Sequence, residues 1–176
     1  INLKPARLNK TPRSDKEAYL NKSKIPGPAD ILFLVRKNPS SIGGIQRLTT
    51  SVINAVSGLY NTDTLSWNGP EWAVPLYFPS FYWKSLKHDA QLIHCDDAVT
   101  GLLGARIKNK TDKRVIATLH GLDIILPIEW YQKQIKAGLG KLDKVICLSH
   151  ATARQAELRG VEPYRIEIIP AAAESS

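Results

Sequence analysis

The stretch RVIATLHGLD, residues 114–123, decides how this chain is read. Its apolar run, Val115-Ile116-Ala117-Thr118-Leu119, has the look of a buried strand. The run stops at His120-Gly121, with Asp123 two residues further on. A strand ending on a histidine, a glycine and an acid is either a plain turn or a strand whose carboxyl end delivers polar groups to a ligand. The other strand ends in the chain help to choose.

Upstream, ADILFLVRKN (29–38) follows Pro26-Gly27-Pro28 and reads as a first strand. In SSIGGIQRLTTSVINAVSGLY, the residues Ile45, Leu48, Val52, Ile53 and Val56 share one helical face, which predicts a helix over 44–59. DTLSWNGPEWAVPLYF predicts a short strand, a turn at Asn68-Gly69-Pro70 and another extended piece. DAQLIHCDDAVTGLLGARIKNK predicts a strand at 90–94 and a helix over 98–108. Downstream of RVIATLHGLD come a helix, a strand at 144–148, a helix capped by Ser149 and ended by Gly160, and a strand at 165–169. Strands and helices alternate through short local connections. The fold class is therefore α/β: a Rossmann-like, open, mostly parallel sheet with helices on both faces.

Ligands of such sheets bind at the carboxyl ends of the strands. Those ends carry Arg36 to Arg47, His94-Cys95-Asp96-Asp97, His120 to Asp123, and Ser149-His150. Helix-capping residues collect there in any such fold, but three of the four histidines on one edge shift the balance toward a site. Gly43 and Gly44 open the first helix, where free backbone N–H groups and the positive dipole end suit a phosphate. A tight turn would use the same pair. The spacing is neither G-x-G-x-x-G nor G-x-x-x-x-G-K-[ST], which removes the dinucleotide and P-loop fingerprints. HCDD lacks a further ligand at helical spacing, so no metal is expected. Ser149-His150 is no hydrolase pair, because the two are sequence neighbours without a G-x-S-x-G elbow.

With 176 residues, 43% of them hydrophobic and 23% charged, the composition is that of a globular domain. The net charge of +8 is uneven. Residues 1–28 hold seven cations against Asp15 and Glu17, a net of +5, which leaves +3 for the body. Three segments follow: a basic leader at 1–28, the Rossmann-like body at 29–170, and the start of a linker at 171–176. The leader lacks an apolar core and is no secretory signal. The lack of methionine, even at position 1, is read as a boundary set by processing. Cys95 and Cys147 form no C-x-x-C pattern; reduced thiols are the default, with a bridge left open because both fall near strands of one sheet. EWAVPLYFPSFYWKSLK (71–87) concentrates aromatic residues. Core packing is the first reading, and a platform for a sugar or a membrane-interface anchor beside Lys84 and Lys87 the second.

Taken together, SIGGIQRLTTSVINAV, LIHCDDAVTGLLGARIK, TLHGLD and LDKVICLSHATARQAELRGVEPYRIEIIP resemble the N-terminal half of a family 4 glycosyltransferase of the GT-B type, over roughly residues 30–170. The resemblance implies a retaining, metal-independent transferase that uses a nucleotide sugar and needs no cofactor. It implies that Gly43 and Gly44 approach the donor's diphosphate and that His120 lies beside the donor sugar. Arg47, His94, Asp123 and Ser149 are the accompanying candidates for donor or substrate binding, with Asp123 read first as a holder of its loop. It also implies a C-terminal donor-binding domain with an E-x7-E motif, of which these 176 residues contain none. The chain is thus read as half an enzyme, inactive alone, working in the cytoplasm on a glycan or lipid-linked acceptor, with contact at the membrane surface through basic and aromatic patches. The rival reading is a non-catalytic module that binds a glycan, nucleotide or partner protein. Nucleic acid is the least favoured partner, because the charge is concentrated outside the body and no recognised motif accompanies it.

Overall fold

The computed structural model describes residues 29–36, 43–67 and 74–171. The strand inside RVIATLHGLD, β4 (Arg114–Leu119), pairs in parallel with β3 (Leu92–Cys95) on one side and β5 (Lys144–Cys147) on the other. With β1 (Ile31–Val35), β2 (Thr62–Ser66) and β6 (Ile166–Ile168) they form a six-stranded parallel sheet in the order β2-β1-β3-β4-β5-β6. The helices are α1 (Gly44–Ser57), α2 (Val74–Lys87), α3 (Ala98–Lys108), the short α4 (Leu122–Ile125), α5 (Glu129–Gly138) and α6 (His150–Glu157).

Strand order fixes which side each helix takes. The step from β1 to β2 runs one way across the sheet and every later step runs the other way. Because parallel crossovers are right-handed, the helix of the first step lies on one face and the later helices on the opposite one. Side-chain alternation agrees. Leu32, Leu34, Ile93, Cys95, Val115, Ala117, Val145 and Cys147 enter a single buried core with Phe81, Leu103, Ile107, Ile135 and Ala156 from the later helices. Phe33, His94, Thr118 and Ile146 project to the other side, where they meet Leu48, Thr49 and Val52 of α1. Both faces carry helix, as expected, and among the described helices α1 is the one on the second face.

The layer contact depends on Gly104, whereas Gly101 stands at ordinary contact distance from the sheet. A Cβ at Gly104 would lie 2.6 Å from Cys95 Sγ and 2.8 Å from Val115 Cγ1, and one at Gly101 would lie 3.4 Å from Ala117 Cβ. The absence of a Cβ at Gly104 lets α3 lie flat on β3 and β4.

One expectation needs correction. Residues 74–87 are helical, not extended. Pro75 and Pro79 argue against a helix in sequence, but Pro75 falls in the first turn, where proline is tolerated. Pro79 sits inside the helix. There Phe81 and Ser85 are buried, with Tyr82 and Leu86 packed against the core. Burial of that face outweighs the lost hydrogen bond. Cys95 and Cys147 are both free and buried, with β4 between their strands, so no bridge joins them. Residues 1–28, the turn at 68–70 and most of 171–176 fall outside the described residues.

Gly104→Ala is expected to lower unfolding stability by about 1–3 kcal/mol through overpacking. Gly44→Ala, where an added Cβ meets nothing within 4 Å, should change it by no more than about 0.5 kcal/mol. Urea unfolding of the two variants checks the pair.

Candidate functional site

The sheet reverses its strand order between β1 and β3, and a crevice opens there at the carboxyl ends. A cavity of about 260 Å³ lies beneath α1, with Phe33, Leu48, Ile146 and Leu148 as apolar walls and Thr49, His94, Asp96, Thr118 and His120 as polar ones. The register explains the grouping. Phe33 pairs with His94, His94 with Ile116, and Thr118 with Ile146, so neighbouring strands point the same parity into this space.

His94 Nε2 lies 2.8 Å from Thr118 Oγ1, and the ring packs on Phe33 at 5.0 Å between centroids. Burial, with His120 nearby, lowers its pKa to about 4, so the ring is neutral near pH 7. His120 Nε2 lies 2.7 Å from the backbone oxygen of Asp96. A carbonyl only accepts, so Nε2 carries the proton. His120 Nδ1 is buried and has no hydrogen-bond partner among the described residues. The fold therefore leaves a buried acceptor nitrogen without a partner in a ring that lines the cavity.

Asp96 extends the cluster. Its Oδ1 sits 2.5 Å from Thr49 Oγ1, which is also 3.0 Å from the Ile45 carbonyl. One hydroxyl proton cannot serve both acceptors fully. Burial raises the Asp96 pKa to about 6, against the lowering effect of Thr49. Thr49 is the donor in both contacts and so favours the ionised carboxylate, while burial works against it. Thr49 is the one fully buried residue of α1. It stands amid the apolar face predicted from Ile45, Leu48 and Val52. A polar residue inside an apolar stripe was the signal available for it. Asp96 was visible only as part of HCDD.

The other predicted residues separate into two groups. Asp123 is engaged within the fold: Oδ2 accepts from Ala98 N at 2.9 Å and Oδ1 from His120 N at 3.0 Å. It ties the start of α3 to the histidine loop, and burial raises its pKa. Ser149 caps α6, its hydroxyl accepting from Thr152 N at 3.1 Å. Gly43, Gly44 and Arg47 stand at the start of α1, outside the cavity lining. There Gly43 offers no capping side chain, and no acid occupies the first turn. By contrast α3 is closed by a capping box, with Thr100 N donating to Asp97 Oδ1 at 2.8 Å. Asp97 also holds Arg36 through Oδ2 at 2.5 Å. Among the described residues, no group of three or more His, Cys, Asp or Glu side chains could hold a metal ion.

The profile of Glycosyltransferase Family 4 matches residues 43–174, about three quarters of the chain. The chain belongs to glycosyltransferase family 4. Its fold is also that of solved GT-B glycosyltransferases. The apo form of the lipopolysaccharide outer core galactosyltransferase WaaB superimposes with a TM-score of 0.60 at 15% identity, over 80% of this chain and 45% of that one. Anabaena Alr3699/HepE in complex with UDP gives 0.55 at 14%, over 80% and 43%. HepE in complex with UDP and glucose gives 0.53 at 15%, over 81% and 44%. The chain thus spans less than half the length of these structures. No curated protein matches significantly.

The two buried groups pull stability in opposite directions below neutral pH. Unfolded histidine binds its proton near 6.5, whereas His94 does so only near 4, so its contribution to stability rises with pH between those values. Folded Asp96 keeps a proton up to about 6 that the unfolded chain releases near 3.8, so its contribution falls over that range. Asp96→Asn should therefore make stability climb more steeply with pH, and His94→Gln should make it decline, each by up to roughly 1.4 kcal/mol per pH unit. Urea midpoints measured across this window test the assignment.

Proposed function

We propose that this chain is the acceptor-side domain of a retaining glycosyltransferase that moves a hexosyl group from a nucleotide sugar to a glycan or lipid-linked acceptor. The observation that carries the reading is the family match across residues 43–174, over a fold whose cavity at the strand reversal contains an unpartnered imidazole nitrogen. In this reading His120 Nδ1 accepts a hydrogen bond from a donor-sugar hydroxyl and fixes the sugar's orientation. His94, Thr118 and Asp96 hold the ring's surroundings. Asp123 acts as a positioning residue, through the loop it binds.

The uncapped start of α1 meets the donor's diphosphate. Its free N–H groups and positive dipole end favour the anion, and Gly43 and Gly44 leave the backbone open to it. Arg47, exposed one turn into the same helix, adds charge on that side. The nucleotide sugar is the one small-molecule reactant, and its phosphate charge is met by these groups and by a second domain rather than by a metal ion. That second domain holds the nucleotide. With transition-state contacts divided between two domains, one of them cannot orient the donor or exclude water by itself. The chemistry proceeds in the cytoplasm.

The test compares the 176-residue chain with the same chain continued into a donor-binding domain, using release of nucleoside diphosphate from a panel of nucleotide sugars. The short chain should not turn over, and the continued one should. In the latter, His120→Ala should lower kcat by about 100-fold or more. Full-rate transfer by His120→Ala, or turnover by the short chain alone, contradicts the reading.

A further inference from the structure

The helical side of the molecule carries a second and larger concavity, of about 920 Å³, between α2, α3, α5 and the segment at 126–128. Its chemistry differs from that of the strand-end cavity. Phe78, Tyr82, Trp83, Leu102, Ile128 and Trp130 give it an apolar wall. Trp83 is 60% exposed and Trp130 65%, large values for the largest amphipathic side chain. Leu76, Leu122, Ile125 and Leu126 are exposed as well, so hydrocarbon continues onto the surrounding surface.

The charge here has one sign. The ionic residues of the lining are Arg36, Arg106 and Lys110, and no acidic residue lines the groove. Arg36 is held by Asp97. Arg106 and Lys110 form no ion pair among the described residues and are exposed at the end of α3. Lys84 and Lys87 add charge in the last turn of α2. Glu129, at the start of α5, is matched by Lys133.

Asn109, Gln134 and the tips of Tyr82 and Tyr131 are its neutral hydrogen-bonding groups, but the lining surface is mostly hydrocarbon. An exposed apolar groove framed by tryptophans and unpaired cations matches an anionic amphiphile: hydrocarbon for the wall, indole at the polar boundary, and Lys and Arg for the headgroups. We infer that this groove is a docking face for an anionic lipid bilayer, with Trp83 and Trp130 entering the interface and Arg106 and Lys110 meeting the headgroups. Cations in such a cluster are drawn to an anionic surface, and salt weakens the attraction. The inference is independent of the transferase reading. Vesicle binding tests it without a nucleotide sugar, so either can fail alone.

The experiment is flotation of the 176-residue chain with vesicles of phosphatidylcholine alone and of phosphatidylcholine mixed with phosphatidylglycerol in equal parts, at low and high salt. The expected result is binding to the mixed vesicles, weakened by salt, and little binding to phosphatidylcholine. The double variants Trp83→Ser/Trp130→Ser and Arg106→Gln/Lys110→Gln should each lower the partition coefficient by about tenfold or more. All four side chains are exposed, so the variants should unfold at the parent's urea midpoint. Three results overturn the inference. One is no binding to mixed vesicles. Another is binding unchanged in both variants, which would place it on another part of the chain. The third is concentration-dependent self-association that the tryptophan variant abolishes without altering vesicle binding, which would make the groove a protein interface.

Discussion

The close approach of α3 to β3 and β4 is the constraint on which the rest of the structure depends. One position without a Cβ atom, Gly104, sets the distance between the layers. A methyl group at Gly104 would meet a buried sulfur and a buried valine on strands that are themselves fixed by ladders on both sides. That closeness also fixes the start of α3. There the Asp97 capping box, the Arg36–Asp97 pair and the Ala98–Asp123 hydrogen bond converge. Since Asp123 also holds the His120 amide, the packing of a glycine helix is transmitted to the position of one imidazole. Core geometry and site geometry are parts of one arrangement.

The opposite face shows what the sheet leaves unfinished. Among the described helices, strand order sends all but α1 to one side, so the strand-end cavity has a roof of one helix and walls of mixed character. Buried polar groups are tolerated only when their hydrogen bonds are made. His94 has Thr118, Asp96 has Thr49, and Asp123 has two backbone amides. Against that background the unpartnered Nδ1 of His120 stands apart, because burial without a partner costs on the order of 1–3 kcal/mol. In the proposed function, that is the group a ligand's hydroxyl would complete.

Much of the fold was legible in the sequence because its signals are local. The buried-looking strands, the apolar stripe from Ile45 to Val56 and the helix over Ala98–Lys108 required no knowledge of distant contacts. The helix at 74–87 was hidden because two prolines speak locally for extended chain, whereas the burial of Phe81 and Ser85 against the core is a tertiary matter. The site was half legible. Polar strand ends placed His94 and His120 on one edge, and the register brings them into one cavity. Thr49 is remote in sequence from Asp96, so their pairing depends on how α1 crosses the sheet, which no spacing records. Ser149 and Asp123 look like site residues by position, yet their side chains are committed to capping and to holding a loop. The groove was legible only as an aromatic stretch; its other walls come from α3 and α5, which are far along the chain.

The central claim is that the fold holds His120 with its proton on Nε2 and leaves Nδ1 without a partner, which the proposed function assigns to a donor sugar. Long-range proton–nitrogen NMR of the imidazole rings tests it most directly, first on the chain alone and then, in the chain continued into a donor-binding domain, with a nucleotide sugar added. The account expects the Nε2-protonated tautomer at neutral pH and a shift of the Nδ1 resonance of His120 on addition of the sugar nucleotide. A proton on Nδ1, or a His120 signal unmoved while the nucleotide sugar binds elsewhere on the chain, would contradict it.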